Sequence, residues 1–117
     1  MLQKIFLMAA NQTIEMYITA SSATDIYYLI RKYLHNTEEA KSIMGKLFSL
    51  TGILEVRADD CIDALASSTD DYEDAVVKKV AHRNGMDYIV TRNIKDYQAG
   101  DTKIILPDDF VKLVEEE

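Results

Sequence analysis

The amino-acid sequence predicts an α/β fold, a three-layer α/β/α sandwich built on one mainly parallel sheet. Short apolar stretches alternate with helical patterns along the 117 residues, as in chains whose helices cover a parallel sheet. The stretch 87–90 is apolar without polar alternation, which is typical of a strand buried on both faces. Only 4 Gly and 1 Pro interrupt the chain. We therefore expect a single domain, residues 1–117, with short connections.

Helical periodicity and capping residues predict the elements of the first half. Apolar residues recur at helical spacing in the opening stretch, and Asn11 is a typical stop. Ser21 or Ser22 is expected to cap the second helix with its side-chain oxygen. One apolar stripe marks the third helix, which Gly52 is expected to end. The predicted helices are 1–11, 21–34 and 37–51, and the predicted strands are 17–20 and 53–56.

Acidic residues mark the helix starts of the second half. Asp59 or Asp60 is expected to begin one helix, and Asp70 or Asp71 to cap the next. Pro107 stands at the start of the last helix, where proline is favoured. The inward residues of the helix that ends at Gly85 are predicted to be Ala75, Val76, Val80 and Ala81. The remaining elements are strands 87–90 and 103–106 and a helix at 108–116.

Charge is distributed unevenly along the chain, whose net charge is −7. Residues 1–57 carry 6 basic and 5 acidic side chains, whereas residues 58–117 carry 7 and 15. An acidic chain argues against broad non-specific affinity for nucleic acid. A nuclease remains possible, because divalent cations held by carboxylates reverse the local sign of the charge.

Cysteine usage and hydropathy point to the cytoplasm. The single cysteine, Cys61, excludes an internal disulfide and fits a reducing compartment. No apolar run approaches the roughly 20 residues that span a bilayer, and the opening residues lack the basic start of a secretory signal. We therefore expect a cytoplasmic protein without a membrane segment.

Acidic and polar residues gather at two places, the helix start at 70–77 and the strand and loop at 87–97. Open α/β sheets keep their sites at the carboxyl ends of strands. Asp70 and Asp71 suffice to cap the helix, so Asp74 is an additional acid that like-charge repulsion would disfavour. These positions are the best candidates for chemistry.

Three motifs in the chain resemble the bacterial PIN-domain family: SSATDIYY at 21–28, DYEDA at 71–75 and YIVTRNIKDY at 88–97. The resemblance extends through nearly the whole chain, to LPDDF at 106–110. It implies metal-dependent hydrolysis of single-stranded RNA, with Mg²⁺ or Mn²⁺ held by a cluster of carboxylates. Many members of the family are toxins of toxin–antitoxin pairs, which implies an antitoxin protein as a partner. A homodimer is also expected, because a sheet that lacks a strand leaves unpaired backbone for a partner chain to cover.

The resemblance also assigns the candidate site residues. Asp25 matches the second acidic position of the family and Asp74 the third, and Asn93 with Asp96 matches the region of the fourth. Asp25, Asp74 and Asp96 are the expected metal ligands, and all four residues are expected to be catalytic. Thr91 and Arg92 are expected to bind the RNA. By the resemblance, the opening strand and its first acidic residue are missing, a segment of roughly 20–25 residues.

Each of these residues also has a purely structural interpretation. Asp25 and Asp74 are expected in first helical turns, where acids complement the dipole. Asn93 and Asp96 follow a strand, where they could simply form a turn.

Three tyrosines on the second helix are interpreted as core packing or a dimer contact. These are Tyr27, Tyr28 and Tyr33. The basic run is interpreted as a solvated helix end, with a phosphate track as the alternative. It consists of Lys78, Lys79, His82 and Arg83.

Two other functions compete with the nuclease. A non-catalytic PIN-like remnant would bind a partner protein, or a second copy of itself, through the open sheet. A receiver-like domain would need an acceptor aspartate at a central strand end and a lysine at the end of a later strand. Lys103 begins a strand instead, which counts against that third interpretation.

Overall fold

The computed structural model describes residues 2–68, 71–91 and 102–116. They form two compact units, which we call the N-terminal unit, Phe6–Glu55, and the C-terminal unit, Met1–Ile5 with Val56–Glu117. Helices and strands alternate, so the predicted α/β class is confirmed. In chain order the elements are α1 (Leu2–Ala10), β1 (Tyr17–Thr19), α2 (Ala20–Leu34), α3 (Thr37–Leu50), β2 (Gly52–Leu54), α4 (Ala58–Ala64), α5 (Tyr72–Arg83), β3 (Tyr88–Val90), β4 (Lys103–Ile105) and α6 (Pro107–Glu115).

The described strands pair in parallel, as predicted, but in two separate sheets. β1 pairs with β2 and places Ile18 opposite Ile53. β3 pairs with β4 and places Ile89 opposite Ile104. The prediction of one sheet therefore does not hold for the described strands, each of which is only three residues long and has one partner. The three-layer sandwich and the single domain stay predictions.

The start of α2 differs from the prediction. The cap is Thr19, whose Oγ1 accepts a hydrogen bond from the Ser22 N–H at 3.1 Å. The Thr19 hydroxyl also donates to Ser22 Oγ at 2.8 Å. The prediction of Ser21 or Ser22 as the cap was wrong, because the chain turns into the helix immediately after β1. Asp25 consequently lies in the second turn of α2.

Gly52 has a different role from the predicted one. Thr51 is the C-cap of α3, and Gly52 is the first residue of β2, opposite Tyr17. A Cβ atom on Gly52 would lie 2.6 Å from the Tyr17 ring. Glycine is therefore needed here because the aromatic ring of the neighbouring strand approaches the backbone closely.

Helix α2 carries large side chains that are exposed to solvent. Tyr33 is 85% exposed, and Tyr28 and Leu29 are also largely exposed. No residue of α2 is buried. The interpretation of Tyr28 and Tyr33 as core packing was wrong, whereas the dimer contact stays a prediction.

Helix α5 is the centre of the C-terminal unit. Its predicted inward residues are confirmed, since Ala75, Val76, Val80 and Ala81 are all buried. The predicted cap is also confirmed, because the Asp71 carboxylate accepts a hydrogen bond from the Asp74 N–H at 3.1 Å. Pro107 occupies the first turn of α6, as expected.

A buried ion pair joins α4 to α5. The Arg83 guanidinium donates to both carboxylate oxygens of Asp60, at 2.7 and 3.2 Å. The Asp60 side chain is only 5% exposed and also accepts a hydrogen bond from the Arg57 N–H. The prediction that Asp59 or Asp60 begins this helix was wrong, because α4 begins at Ala58, after the cap residue Arg57. The hydrogen bond from Arg83 holds the pKa of Asp60 below its ordinary value of 3.8.

The lowered pKa of Asp60 predicts how stability changes with pH. The Asp60 carboxylate binds a proton less readily in the folded state than in the unfolded chain. Its ion pair with Arg83 therefore stabilises the fold fully above about pH 5. This stabilisation is lost as the pH falls through the pKa of Asp60 in the folded state. Urea unfolding between pH 3 and 7 should therefore show the native chain losing more stability on acidification than Asp60→Asn. Parallel acid profiles for the two proteins would contradict this role.

Candidate functional site

Asp74 lies in the first turn of α5, in the C-terminal unit. The backbone N–H of Asp74 donates the cap hydrogen bond to the carboxylate of Asp71. The carboxylate of Asp74 itself does not accept that hydrogen bond. Its side chain is partly exposed to solvent. The structure thus places this carboxylate at the surface of a helix start that already has its cap.

Asp25 lies on α2, in the N-terminal unit, and is exposed. It was expected in the first turn of its helix, but the first turn of α2 contains no acid. The effect of the helix dipole on a side chain falls off within the first turn. Stabilisation of the helix dipole therefore does not explain Asp25, and its functional role stays a prediction.

Thr91 follows β3 directly, as predicted. Its N–H donates to the Ile105 carbonyl at 3.0 Å, which continues the pairing with β4 beyond the end of the strand. Thr91 is half-buried and has a further interaction. The other predicted residues of this loop, Arg92, Asn93 and Asp96, lie outside the described residues, and their roles stay predictions.

A tyrosine begins the helix that carries Asp74. The Tyr72 hydroxyl donates to the Cys61 carbonyl at 2.7 Å, which ties the start of α5 to α4. Partial desolvation, and then the neighbouring Cys61 side chain, raises the pKa of Tyr72 above its ordinary value of 10.0. The phenol therefore keeps its proton at neutral pH and remains a hydrogen-bond donor.

Comparison with known protein families shows which family the chain belongs to. The family model described as PIN domain matches residues 2–95. The chain belongs to the PIN-domain family. Proteins of this family are typically nucleases and typically bind a divalent metal. No curated protein and no solved structure matches the chain.

The match defines which predicted residues the PIN domain contains. It includes Asp25, Asp74, Thr91 and Asn93 and ends one residue before Asp96. The recognition made from the three sequence motifs is thereby confirmed. The assignment of individual site residues is not tested by the match and stays a prediction.

The PIN domain offers suitable ligand chemistry for Mg²⁺ or Mn²⁺. Carboxylate oxygens are the ligands these hard cations prefer. Asp25 is exposed, and Asp74 is partly exposed and has another interaction. Among the described residues, no group of three or more His, Cys, Asp or Glu side chains is arranged to hold a metal ion. The ligand type therefore fits, while the assembly of Asp25, Asp74 and Asp96 into one site stays a prediction.

No helix in residues 2–68, 71–91 and 102–116 is long and apolar enough to cross a membrane.

The sequence analysis did not predict the ion pair between Asp60 and Arg83. No local sequence pattern connects two residues that are 23 positions apart.

Proposed function

We propose that this PIN domain is a metal-dependent endoribonuclease that hydrolyses phosphodiester bonds in single-stranded RNA. The observation that supports this most strongly is the match of the PIN-domain model across residues 2–95. The proposal includes the three-layer sandwich with a parallel sheet, the framework that would bring the acidic residues together at the carboxyl ends of strands.

The candidate residues have distinct roles in this proposal. The carboxylates of Asp25, Asp74 and Asp96 hold Mg²⁺ or Mn²⁺, and the amide of Asn93 supports them. The bound metal would activate water and stabilise the charge that develops on the phosphate. Thr91 donates its hydroxyl to a phosphate oxygen, and the Arg92 guanidinium binds the phosphate by charge-assisted hydrogen bonds.

A second function is favoured by the exposed apolar residues of α2. Tyr28, Leu29 and Tyr33 present large side chains to solvent, and such surfaces often mark protein–protein contacts. In this alternative the chain is a non-catalytic module that binds a protein or a second copy of itself. The proposed homodimer and antitoxin would use the same surface in an active toxin, so the surface alone does not separate the two functions.

Cleavage of labelled single-stranded RNA separates them. We expect cleavage with Mn²⁺ or Mg²⁺ and none after EDTA is added, because the attacking water depends on the bound metal. Duplex RNA and single-stranded DNA of the same sequence serve as controls for the substrate class. A chain that leaves every RNA intact in either metal, yet sediments as a dimer, would contradict the nuclease and favour the binding module.

A further inference from the structure

An open pocket of about 340 Å³ lies in the C-terminal unit, beside α5. One side of the pocket is the turn after α4, and the other is a partly buried face of α5. The lining residues are Ala66, Ser67, Ser68, Ala75, Lys78, Lys79 and His82. Ala75 and His82 each lie three or four positions from both lysines, which places the four residues along one face of α5. Ala75 leaves space because its side chain is small.

The pocket differs in charge from the rest of the chain. Three of its described lining residues are basic and none of them is acidic, although the net charge of the chain is −7. The turn after α4 contributes Ser67, which has another interaction, and Ser68, whose hydroxyl is a donor of the kind that binds anions. A pocket lined by basic side chains and a hydroxyl donor is suited to an oxyanion.

The basic residues of α5 are not equivalent. The charge of Arg83 is compensated by Asp60, so Arg83 contributes little to the pocket. Lys78 is buried along most of its length and has another interaction. Lys79 and His82 are exposed, and within the described part of the chain neither side chain makes a hydrogen bond or ion pair. These two side chains are available to a ligand.

The position of the pocket relates it to Asp74. Ala75, in the pocket wall, follows Asp74 directly in α5. Lys78 lies one turn further along, about 6 Å by helical rise, and His82 two turns, about 12 Å. A single strand of RNA whose reacting phosphate lies at Asp74 would thus pass the pocket with an adjacent nucleotide. The volume falls in the range of small-ligand pockets.

The geometry points to a phosphate-binding subsite, in which Lys79 and His82 hold a phosphate of the RNA next to the one that is cut. This inference rests on the proposed ribonuclease function for the identity of the ligand. It takes up the alternative interpretation of the basic run, a phosphate track, because Lys79 and His82 line a pocket that Ser68 lines as well. Lys79 and His82 are positioning residues, since they hold the substrate beside the reacting phosphate.

Binding of a short single-stranded RNA in EDTA, where no metal-dependent cleavage occurs, tests the subsite. We expect the double variant Lys79→Gln/His82→Gln to bind about tenfold more weakly, because charge-assisted hydrogen bonds to phosphate are lost. The dependence of log K on log salt should also become shallower, by about 0.7 for each phosphate contact removed. The matched control is Lys112→Gln, which removes one exposed charge from α6 and does not line the pocket.

Nuclear magnetic resonance distinguishes the sources of the phosphate. Adenosine monophosphate should shift the amide signals of Ser67, Ser68 and His82, whereas adenosine should not. Shifts with inorganic phosphate alone, without any effect from the monophosphate or RNA, would overturn the inference. Equal RNA affinities and salt slopes for the double variant and Lys112→Gln would overturn it as well.

Failure of the subsite and failure of the proposed function give different results. Suppose that RNA is cut in the presence of metal and that the native chain and the double variant have the same KM. This result would support the ribonuclease function and refute the subsite. RNA that binds through Lys79 and His82 but is never cut would support the subsite and refute the ribonuclease.

Discussion

Replacing Asp74 by Asn is expected to lower the rate of metal-dependent RNA cleavage by more than about 100-fold. An amide is a poorer ligand than a carboxylate for a hard cation. Changes to groups that only orient a metal ligand already cost roughly 10–100-fold, so loss of a ligand itself should cost more. The measurement is the initial rate of cleavage of labelled single-stranded RNA with saturating Mn²⁺.

Asp71→Asn is the matched control for Asp74→Asn. It removes one negative charge from the same helix start, and Asn caps a helix about as well as Asp. The Asp74 N–H therefore keeps an acceptor, and α5 keeps its cap. We expect Asp71→Asn to retain most of the activity. Equal losses in the two variants would contradict a specific role for Asp74 and indicate a general effect of charge at the start of α5.

Replacing Asp60 by Ala is expected to destabilise the fold by about 2–4 kcal/mol. The change removes both carboxylate oxygens to which the Arg83 guanidinium donates and so breaks the buried ion pair between α4 and α5. It also removes the acceptor for the Arg57 N–H at the start of α4. The expected cost lies below the full value for a buried pair because Arg83 keeps some contact with solvent. Urea unfolding at neutral pH measures the difference.

Asp59→Ala is the control for the buried pair. Asp59 precedes Asp60 on α4 and forms an ion pair with Arg57 at 3.1 Å, but its side chain is 53% exposed. Exposed pairs contribute about 0.2–1 kcal/mol because both charges remain solvated. Equal destabilisation by the two substitutions would contradict the role assigned to the pair.

Local patterns predicted the elements that depend on local interactions. The apolar face of α5, its cap at Asp71 and the proline at the start of α6 all follow from residues a few positions apart. The cap of α2 was harder to predict from the sequence, because three hydroxyl side chains lie within four positions: Thr19, Ser21 and Ser22. Where β1 ends decides which of them caps the helix, and that depends on the pairing of β1 with β2.

The predicted site depends more strongly on tertiary structure. Sequence motifs identified the family and the acidic residues, but the distances between Asp25, Asp74 and Asp96 depend on how distant elements pack. The basic run on α5 was visible in the sequence, whereas the pocket was not. Its second wall comes from residues 66–68, and no periodic pattern connects that turn to Lys79 and His82.

Direct measurement of Mn²⁺ binding tests the central claim without the need for a particular RNA. Electron paramagnetic resonance would follow free Mn²⁺ during titration with the native chain, Asp74→Asn and Asp71→Asn. A metal site that contains Asp74 predicts binding by the native chain and Asp71→Asn, with a large loss of affinity in Asp74→Asn. Equal Mn²⁺ affinity in all three proteins, or no binding by the native chain, would contradict a metal-dependent nuclease centred on Asp74.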